Sequence, residues 1–230
     1  ATTEIYTLSL HDALPSLTLE KIKAMAAQGV KVAVGLLDSS DIRLAMGYAN
    51  ANKIAIISSF STVADLGIAD DYIFRPIPHD DMEGVALAEL IKTMGFSHVA
   101  LLVRKDPCDL SIASSFVKEY EARGGKILER VDFAGGTKEF SGELSSLERA
   151  VKPAVEEFGV DKVAVISLTW EDLAIILSQA QARKSPLLDL TWTGGDAVAQ
   201  STVILRDAGE AAAKVSVISP MYRSDERRVG

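Results

Sequence analysis

The chain has 230 residues, a formal net charge of −8 and 48% hydrophobic residues, the balance of an ordinary globular chain. The negative charge gives no electrostatic basis for binding nucleic acid or an anionic membrane surface. Every apolar run is shorter than the roughly 20 residues that span a bilayer. The single Cys108 excludes an internal disulfide framework.

The two ends of the sequence do not share the pattern of their neighbours. Residues 1–15, ATTEIYTLSLHDALP, and residues 223–230, RSDERRVG, resemble translated sequencing-adapter read-through. We expect both to be artefactual flanks and set them aside from the fold prediction. The natural protein is then expected to extend past both ends, so the lack of a visible secretory signal indicates nothing about compartment.

Apolar strands alternate with helices along the rest of the chain. Strands are predicted at 30–36, 53–58, 98–103, 126–133, 162–168, 188–194 and 214–219. Helices are predicted at 17–28, 41–52, 80–95, 110–123, 171–183 and 197–208, with a further helix opening in 137–151 behind Thr137 as N-cap. Residues 72–78 form a short extended segment. Strands that are apolar throughout, each followed by a helix, predict an α/β fold with parallel sheets covered by helices.

Two successive strands end in hydroxyl-bearing residues. The run KIAIISSFSTVADL, residues 53–66, passes from a buried strand into serines and Thr62, and VKVAVGLLDSSDI passes into Asp38 and Ser39. Ligands of parallel α/β sheets bind at the carboxyl ends of strands, beside helix N-termini that favour anions. Ser39 and Thr62 are therefore candidates to bind a carboxylate or an ammonium group. The alternative is that these residues cap helices and do nothing more.

A third strand ends in a glycine turn that carries a carboxylate. In TWTGGDAV, the strand is followed by Gly194, Gly195 and Asp196. A carboxylate raised on such a turn is suited to an ammonium group. Hydroxyls for an acid and Asp196 for an amine together predict a free amino acid as ligand.

These segments carry a family resemblance. From about residue 16 to 222, the chain resembles type I periplasmic binding proteins, most closely the leucine/isoleucine/valine-binding receptors of ABC transporters. The matching pieces are GLLDSS, ANANKIAIISSFSTVADL, YIFRPIPHDDMEG, GFSHVALLV, EARGGKILERVDFAGGTKEFSGEL, LSQAQ and WTGGDAV. Their order and spacing match the family as well.

The resemblance implies a two-lobed fold in which the chain crosses between lobes on extended hinges and ligand closes the cleft. FRPIPHD matches the first crossing and VISPMYR the second. On that pattern, residues 16–78 are part of an incomplete lobe one and residues 79–217 are lobe two. Residues 218–222 are the hinge segment that returns to lobe one.

The resemblance also implies a set of ligand-binding residues. Ser39 and Thr62 would bind the carboxylate and amine of the ligand, and Asp196 its ammonium group. The remaining positions are Leu37, Asp38, Phe60, Ser61, Thr169 and Trp170. The family often has a Tyr-Gly pair after the first strand of lobe two, where this chain has Cys108 and Asp109. The missing aromatic and the added acid leave the branched-chain specificity open.

No motif of a hydrolase, zinc protease, nucleotide-binding loop or dinucleotide-binding turn occurs in the chain. Cys108 has no predicted base beside it, and His79 and His98 are too far apart in the pattern to form a metal pair. We therefore expect a non-enzymatic receptor without cofactor, periplasmic or extracellular, that serves an ABC permease in the membrane. One alternative is the ligand-sensing core of a transcriptional regulator with the same fold. Another is an enzyme whose hydroxyl loops bind phosphate.

Overall fold

The computed structural model describes residues 6–8, 15–35 and 38–220, with the backbone alone for 6–8 and 15–16. The chain forms two compact units, Ala1–Asp80 and Asp81–Gly230, called here the N-terminal and C-terminal units. Most of the two predicted flanks, residues 1–15 and 223–230, lies outside the described residues. Within the first of them, Tyr6–Leu8 forms a strand.

The described residues form eight strands and seven α-helices. The strands are β1 (Tyr6–Leu8), β2 (Val32–Gly35), β3 (Ala55–Ser58), β4 (Ile73–Phe74), β5 (His98–Arg104), β6 (Lys126–Phe133), β7 (Val163–Leu168) and β8 (Thr191–Gly194). The helices are α1 (Pro15–Ala27), α2 (Ser39–Asn52), α3 (Asp80–Thr93), α4 (Pro107–Ala122), α5 (Ser141–Phe158), α6 (Asp172–Ala182) and α7 (Thr202–Lys214). Among the described helices, none is long and apolar enough to cross a membrane.

Each unit contains one four-stranded sheet. The order is β1-β2-β3-β4 in the N-terminal unit and β6-β5-β7-β8 in the C-terminal unit. All pairs within both sheets are parallel. The predicted α/β fold with parallel sheets flanked by helices is confirmed. Because the strands are parallel, the loops that follow them meet at one edge of each sheet.

The sheet of the C-terminal unit is buried on both faces. Successive residues of β5 and β7 alternate between two apolar clusters, with Leu102 and Val165 in one and Leu101 and Ile166 in the other. The first cluster is covered by α5, α6 and α7, and the second by α3 and α4. This two-sided burial explains why the two strands read as continuous apolar runs.

Among its described residues, the N-terminal unit has a single, smaller apolar cluster. Ala33 of β2 and Ile56 of β3 pack in it with Ile22 of α1 and Ile42 of α2. Along β2 and β3, buried residues alternate with half-buried ones. The described sheet of this unit is therefore covered less completely than its counterpart.

Two local predictions are wrong. Thr137 is not the N-cap of α5, because the helix begins at Ser141, while the Thr137 hydroxyl donates to the carbonyl of Ala134. The predicted strand at 214–219 is also absent, because α7 continues to Lys214. Only Ile218 joins the sheet, in an isolated bridge with Thr193.

Candidate functional site

In the N-terminal unit, the loop after β2 leads into the first turn of α2. The side chain of Asp38 is the helix cap, accepting a hydrogen bond of 2.8 Å from the amide of Asp41. Ser39 is therefore not the capping residue. Its buried hydroxyl lies 3.0 Å from the hydroxyl of Ser61, which follows the neighbouring strand. The cap leaves the Ser39 hydroxyl available to face a residue of the next loop.

The loop after β3 folds around the hydroxyl of Ser58. That oxygen accepts hydrogen bonds from the amides of Phe60, at 3.2 Å, and Ser61, at 3.0 Å. The turn places the Phe60 ring outward, 42% exposed, and buries the Ser61 side chain. The half-buried Thr62 accepts a hydrogen bond of 3.0 Å at its carbonyl from the amide of Asp80. Leu37 lies outside the described residues.

A buried carboxyl supports this edge of the N-terminal unit. Asp41 accepts a hydrogen bond of 2.7 Å from the hydroxyl of Thr18 on α1. Burial raises the pKa of the Asp41 carboxyl, and the hydrogen bond from Thr18 lowers it. Sequence reasoning missed this pair, because the two residues lie on different helices and neither is part of a motif.

In the C-terminal unit, β8 ends in the glycine turn that carries Asp196. The amide of Asp196 donates a hydrogen bond of 2.8 Å to Oε1 of Glu83 on α3. Burial raises the pKa of the half-buried Asp196 carboxyl, while its hydrogen bond with the Glu83 side chain lowers it. Glu83 was not predicted from the sequence. A signal existed, because Glu83 shares the buried stripe of α3 with Leu87 and Ile91, four and eight residues later.

The carboxyl ends of β5 and β7 are joined by a charged cluster around Arg104. Its guanidinium donates to Asp172 at 3.0 Å and lies 3.3 Å from a carboxylate oxygen of Asp106. It also lies 5.0 Å from the centre of the Trp170 ring, which is half-buried. Trp170 is therefore a packing partner of this cation. The neighbouring Thr169 is fully buried, with its hydroxyl 3.1 Å from that of Ser167.

The first turn of α4 contains two carboxyls in contact. Asp106 caps the helix by accepting from the amide of Asp109 at 3.0 Å. Burial raises the pKa of Asp109 to about 9, and both the hydrogen bond with Asp106 and the charge of Asp106 add to this effect. Arg104 and a hydrogen bond with Trp170 lower the same pKa. Asp109 is therefore a neutral acid near pH 7. Cys108, the single cysteine of the chain, lies beside it with a half-buried side chain.

The predicted residues thus fall into two groups. Ser39 and Ser61 are brought together at one edge of the N-terminal unit, with Phe60 in the same turn. In the C-terminal unit, Trp170 is brought together with Asp109, the residue after the predicted Cys108, while Asp196 lies against Glu83. Across residues 6–8, 15–35 and 38–220, we find no cluster of three or more His, Cys, Asp or Glu side chains that could hold a metal ion.

Residues 9–227 match the model of a family described as the receptor family ligand binding region. The chain is 30% identical over 217 residues to an uncharacterized protein of Methanocaldococcus jannaschii, covering 92% of this chain and 51% of that protein. The chain thus spans about half the length of this relative.

Solved structures share the fold at low sequence identity. A branched-chain amino acid transporter substrate-binding protein of Streptococcus pneumoniae, in complex with isoleucine, aligns with a TM-score of 0.69 at 20% identity, over 85% of this chain and 53% of that one. An ABC-transporter solute-binding protein of R. palustris, in complex with 4-hydroxybenzoate, aligns with a TM-score of 0.66 at 15% identity, over 81% and 49%. These likenesses confirm the type I periplasmic binding protein fold that the motifs predicted.

Proposed function

We propose that this chain is the solute-binding part of an ABC-transporter receptor, since it belongs to the family described as the receptor family ligand binding region. Its proposed ligand is an amino acid or a similar small zwitterion. The observation that carries the ligand class is the polar chemistry at the strand ends. In the N-terminal unit, two hydroxyls meet after β2 and β3, with Ser39 and Ser61 3.0 Å apart. In the C-terminal unit, the turn after β8 carries the carboxyl of Asp196.

The two kinds of group suit the two ends of a zwitterion. Hydroxyls and backbone amides next to a helix N-terminus can donate to a ligand carboxylate without bringing a full positive charge. A half-buried carboxylate is a strong partner for an ammonium group, because such hydrogen bonds are charge-assisted. A ligand with only one of these groups would leave the other partner unsatisfied, at a cost in affinity.

Individual roles follow the family resemblance. We propose that Ser39 and Thr62 bind the carboxylate and amine, and that Asp196 binds the ammonium group. The remaining ligand-lining residues in the proposal are Leu37, Asp38, Phe60, Ser61, Cys108, Thr169 and Trp170. The Arg104–Trp170 stack and the neutral Asp109 give the C-terminal unit a polar character, which supports a ligand side chain other than a purely apolar one.

For the complete protein, we propose three further features. Ligand binds between two lobes, hinge closure accompanies binding, and the closed form is presented to a membrane permease outside the cytoplasm. The protein carries out no chemical step on its ligand. Solute-binding proteins of the same fold support this view.

The test is a thermal-shift panel on the chain with the twenty L-amino acids. Leucine is accompanied by two matched analogues, 4-methylpentanoate, which lacks the amine, and 3-methylbutylamine, which lacks the carboxylate. 4-Hydroxybenzoate is included as an acid without an amine. We expect at least one amino acid to raise the melting temperature of the chain, since a ligand that binds only the native state stabilises that state.

The analogues decide the ligand class. If leucine or another amino acid stabilises the chain and the single-group analogues do not, the zwitterion assignment stands. If 4-methylpentanoate or 4-hydroxybenzoate stabilises it as strongly, the ligand is a carboxylic acid and Asp196 has no ammonium partner. If no amino acid and no acid stabilises the chain, the proposal is wrong for this part of the protein.

A further inference from the structure

Glu83 is a buried carboxyl on the apolar stripe of α3. It is 4% exposed and follows the helix face that carries Leu87 and Ile91. A carboxylate in such a place costs free energy unless hydrogen bonds or a proton satisfy it. Burial of the Glu83 side chain is therefore costly in free energy, and the groups that contact this side chain indicate its role.

Glu83 contacts the turn after β8, more than a hundred residues further along the chain. Its Oε1 accepts from the amide of Asp196 at 2.8 Å. A Cβ at Gly195 would lie 3.2 Å from the same oxygen, so glycine lets the turn approach the carboxyl. The Glu83 and Asp196 side chains are also hydrogen-bonded to each other. An ionised carboxylate only accepts hydrogen bonds, so two bonded carboxyls must hold a proton between them.

We propose that Glu83 is the positioning residue for Asp196: it anchors the glycine turn through the Asp196 amide and shares one proton with the Asp196 carboxyl, which an ammonium ligand displaces. The inference rests on the proposed function for its ligand, but its first part concerns the unliganded chain alone.

The surroundings favour a shared proton. Burial raises the pKa of Asp196, and the hydrogen bond with Glu83 lowers it, as expected when Glu83 is the partner that carries the proton. The titratable neighbours on α3 itself are Asp80 and Asp81, both acidic. At the packed elements, α4 meets α3 at Gly84 through Ile112 and Ser115. The turn itself meets Leu168, the last residue of β7, and the hydroxyl of Ser219, which donates to the carbonyl of Gly195.

The proton balance follows from this arrangement. Without ligand, the pair holds one proton and one negative charge. An ammonium group that binds at Asp196 favours the ionised form of both carboxyls, so the shared proton leaves to solvent as the cation arrives. The pair then carries two negative charges against the one positive charge of the ligand. Binding of one ligand should release one proton, and affinity should rise with pH by up to about tenfold per pH unit.

The first experiment needs no ligand. The carboxyl carbons of Glu83 and Asp196 are followed by NMR across pH in the whole chain labelled with ¹³C at Asp and Glu, with Glu83→Gln and Asp196→Asn to assign them. Glutamine keeps an oxygen for the Asp196 amide and adds an N–H for its carboxylate, so the turn is retained without a shared proton. We expect a linked two-step titration in the wild type and a single step at lower pH for Asp196 in Glu83→Gln.

If Asp196 instead titrates in one step at the same pH in both proteins, the shared proton is excluded. The second experiment measures the heat of L-leucine binding in phosphate and Tris at the same pH, which reports protons released. We expect release in the wild type and none in Glu83→Gln, and equal release in both would overturn the displacement step. If L-leucine does not bind, the ligand assignment fails, while the carboxyl titration still decides the role of Glu83.

Discussion

Asp196 is the residue on which the ammonium assignment depends. We predict that Asp196→Ala weakens amino-acid binding by about 2–5 kcal/mol, the range for removing one partner of a buried charge pair. Asp161→Ala is the matched control, since Asp161 is an acidic residue whose side chain is 72% exposed. Calorimetric titration of both variants, with the amino acid that gives the largest thermal shift, measures the difference. Equal affinity in Asp196→Ala and wild type would remove Asp196 from the ligand site.

Asp109 should make the stability of the chain depend on pH. Its folded-state pKa is raised from 3.8 to about 9, so between these values the native state holds a proton that the unfolded chain has released. The free energy of unfolding then falls as pH rises through this window, by at most about 1.4 kcal/mol per pH unit, and the contribution is fully present only below pH 3.8. The loss ends above the folded-state pKa.

Asp109→Asn isolates this effect. An amide keeps a donor for Asp106 but cannot ionise, so we expect the variant to gain stability over the wild type as pH rises from 5 to about 8. Urea unfolding at several pH values measures the slope for each protein. Asp161→Asn serves as the exposed control and should leave the slope unchanged. Parallel curves for Asp109→Asn and wild type would contradict the raised pKa of Asp109.

Whether a candidate residue could be predicted from the sequence depends on how far along the chain its partner lies. Ser39 and Ser61 could be predicted because each lies within a few residues of the end of its own strand, and parallel strands bring such ends together. Glu83 could not, because its partner Asp196 reaches it only when the turn after β8 meets α3. Arg104 and Asp172 are likewise paired across 68 positions. Sequence patterns locate strand ends, but not the side chains that other elements bring to them.

At the scale of elements, α3 and α4 are held close by a glycine. A Cβ built at Gly84 would lie 2.6 Å from the carbonyl of Ile112 and 2.7 Å from the amide of Phe116. Both atoms belong to the α4 backbone, so a side chain at position 84 forces the helices apart. We predict that Gly84→Ala lowers the free energy of unfolding by about 1–3 kcal/mol, the usual cost of overpacking.

Gly47→Ala on α2 is the matched control for this prediction. It makes the same change inside a helix, at a position where a Cβ meets no atom within 4 Å. Alanine is the better helix former by about 1 kcal/mol, so Gly47→Ala should raise stability by up to that amount. Chemical unfolding of both variants gives the comparison. If Gly84→Ala were as stable as wild type, the close approach of α3 and α4 would be wrong.

The segment after α7 shows where periodicity fails as a predictor. Residues 214–219 alternate in the manner of a strand, yet α7 extends to Lys214 and the amides of Val215 and Val217 donate to the carbonyls of Ala211 and Ala212. Because these amides are hydrogen-bonded to the last turn of α7, they cannot also pair with the sheet. Ile218 then forms an isolated bridge with β8, bonded to Trp192 and Gly194, while Val215 accepts one hydrogen bond from the amide of Trp192. Tertiary hydrogen bonding decides such short apolar runs.

At the scale of the whole molecule, the fold class was predictable because it rests on repetition. Each buried strand followed by a helix repeats the same unit, and the parallel sheets follow from that repeat. The division of the chain at Asp80 lies close to the extended segment with its prolines. The unequal cores of the two units were not predictable, since they depend on how many helices cover each sheet face.

This inequality predicts different local stabilities for the two units. In the C-terminal unit, β5 and β7 are buried between two apolar clusters. In the N-terminal unit, β2 and β3 face one smaller cluster, and every second residue is only half-buried. Amides in elements with fewer buried apolar contacts open at lower free energy. We therefore expect the amides of β2 and β3 to exchange hydrogen faster than those of β5 and β7.

Hydrogen exchange followed by mass spectrometry on the whole chain measures this order, with peptides covering Ala55–Ser58 and Val163–Leu168 as the decisive pair. Both strands are internal and parallel, so they differ in core coverage rather than in edge position. Equal protection would mean that the chain unfolds as one cooperative unit, despite the smaller core of its N-terminal part. Faster exchange at Ala55–Ser58 would place the proposed hydroxyl site on the less stable unit, where ligand binding should protect it. Adding the stabilising amino acid should then slow exchange in this strand more than in Val163–Leu168, because binding stabilises the states that retain the site.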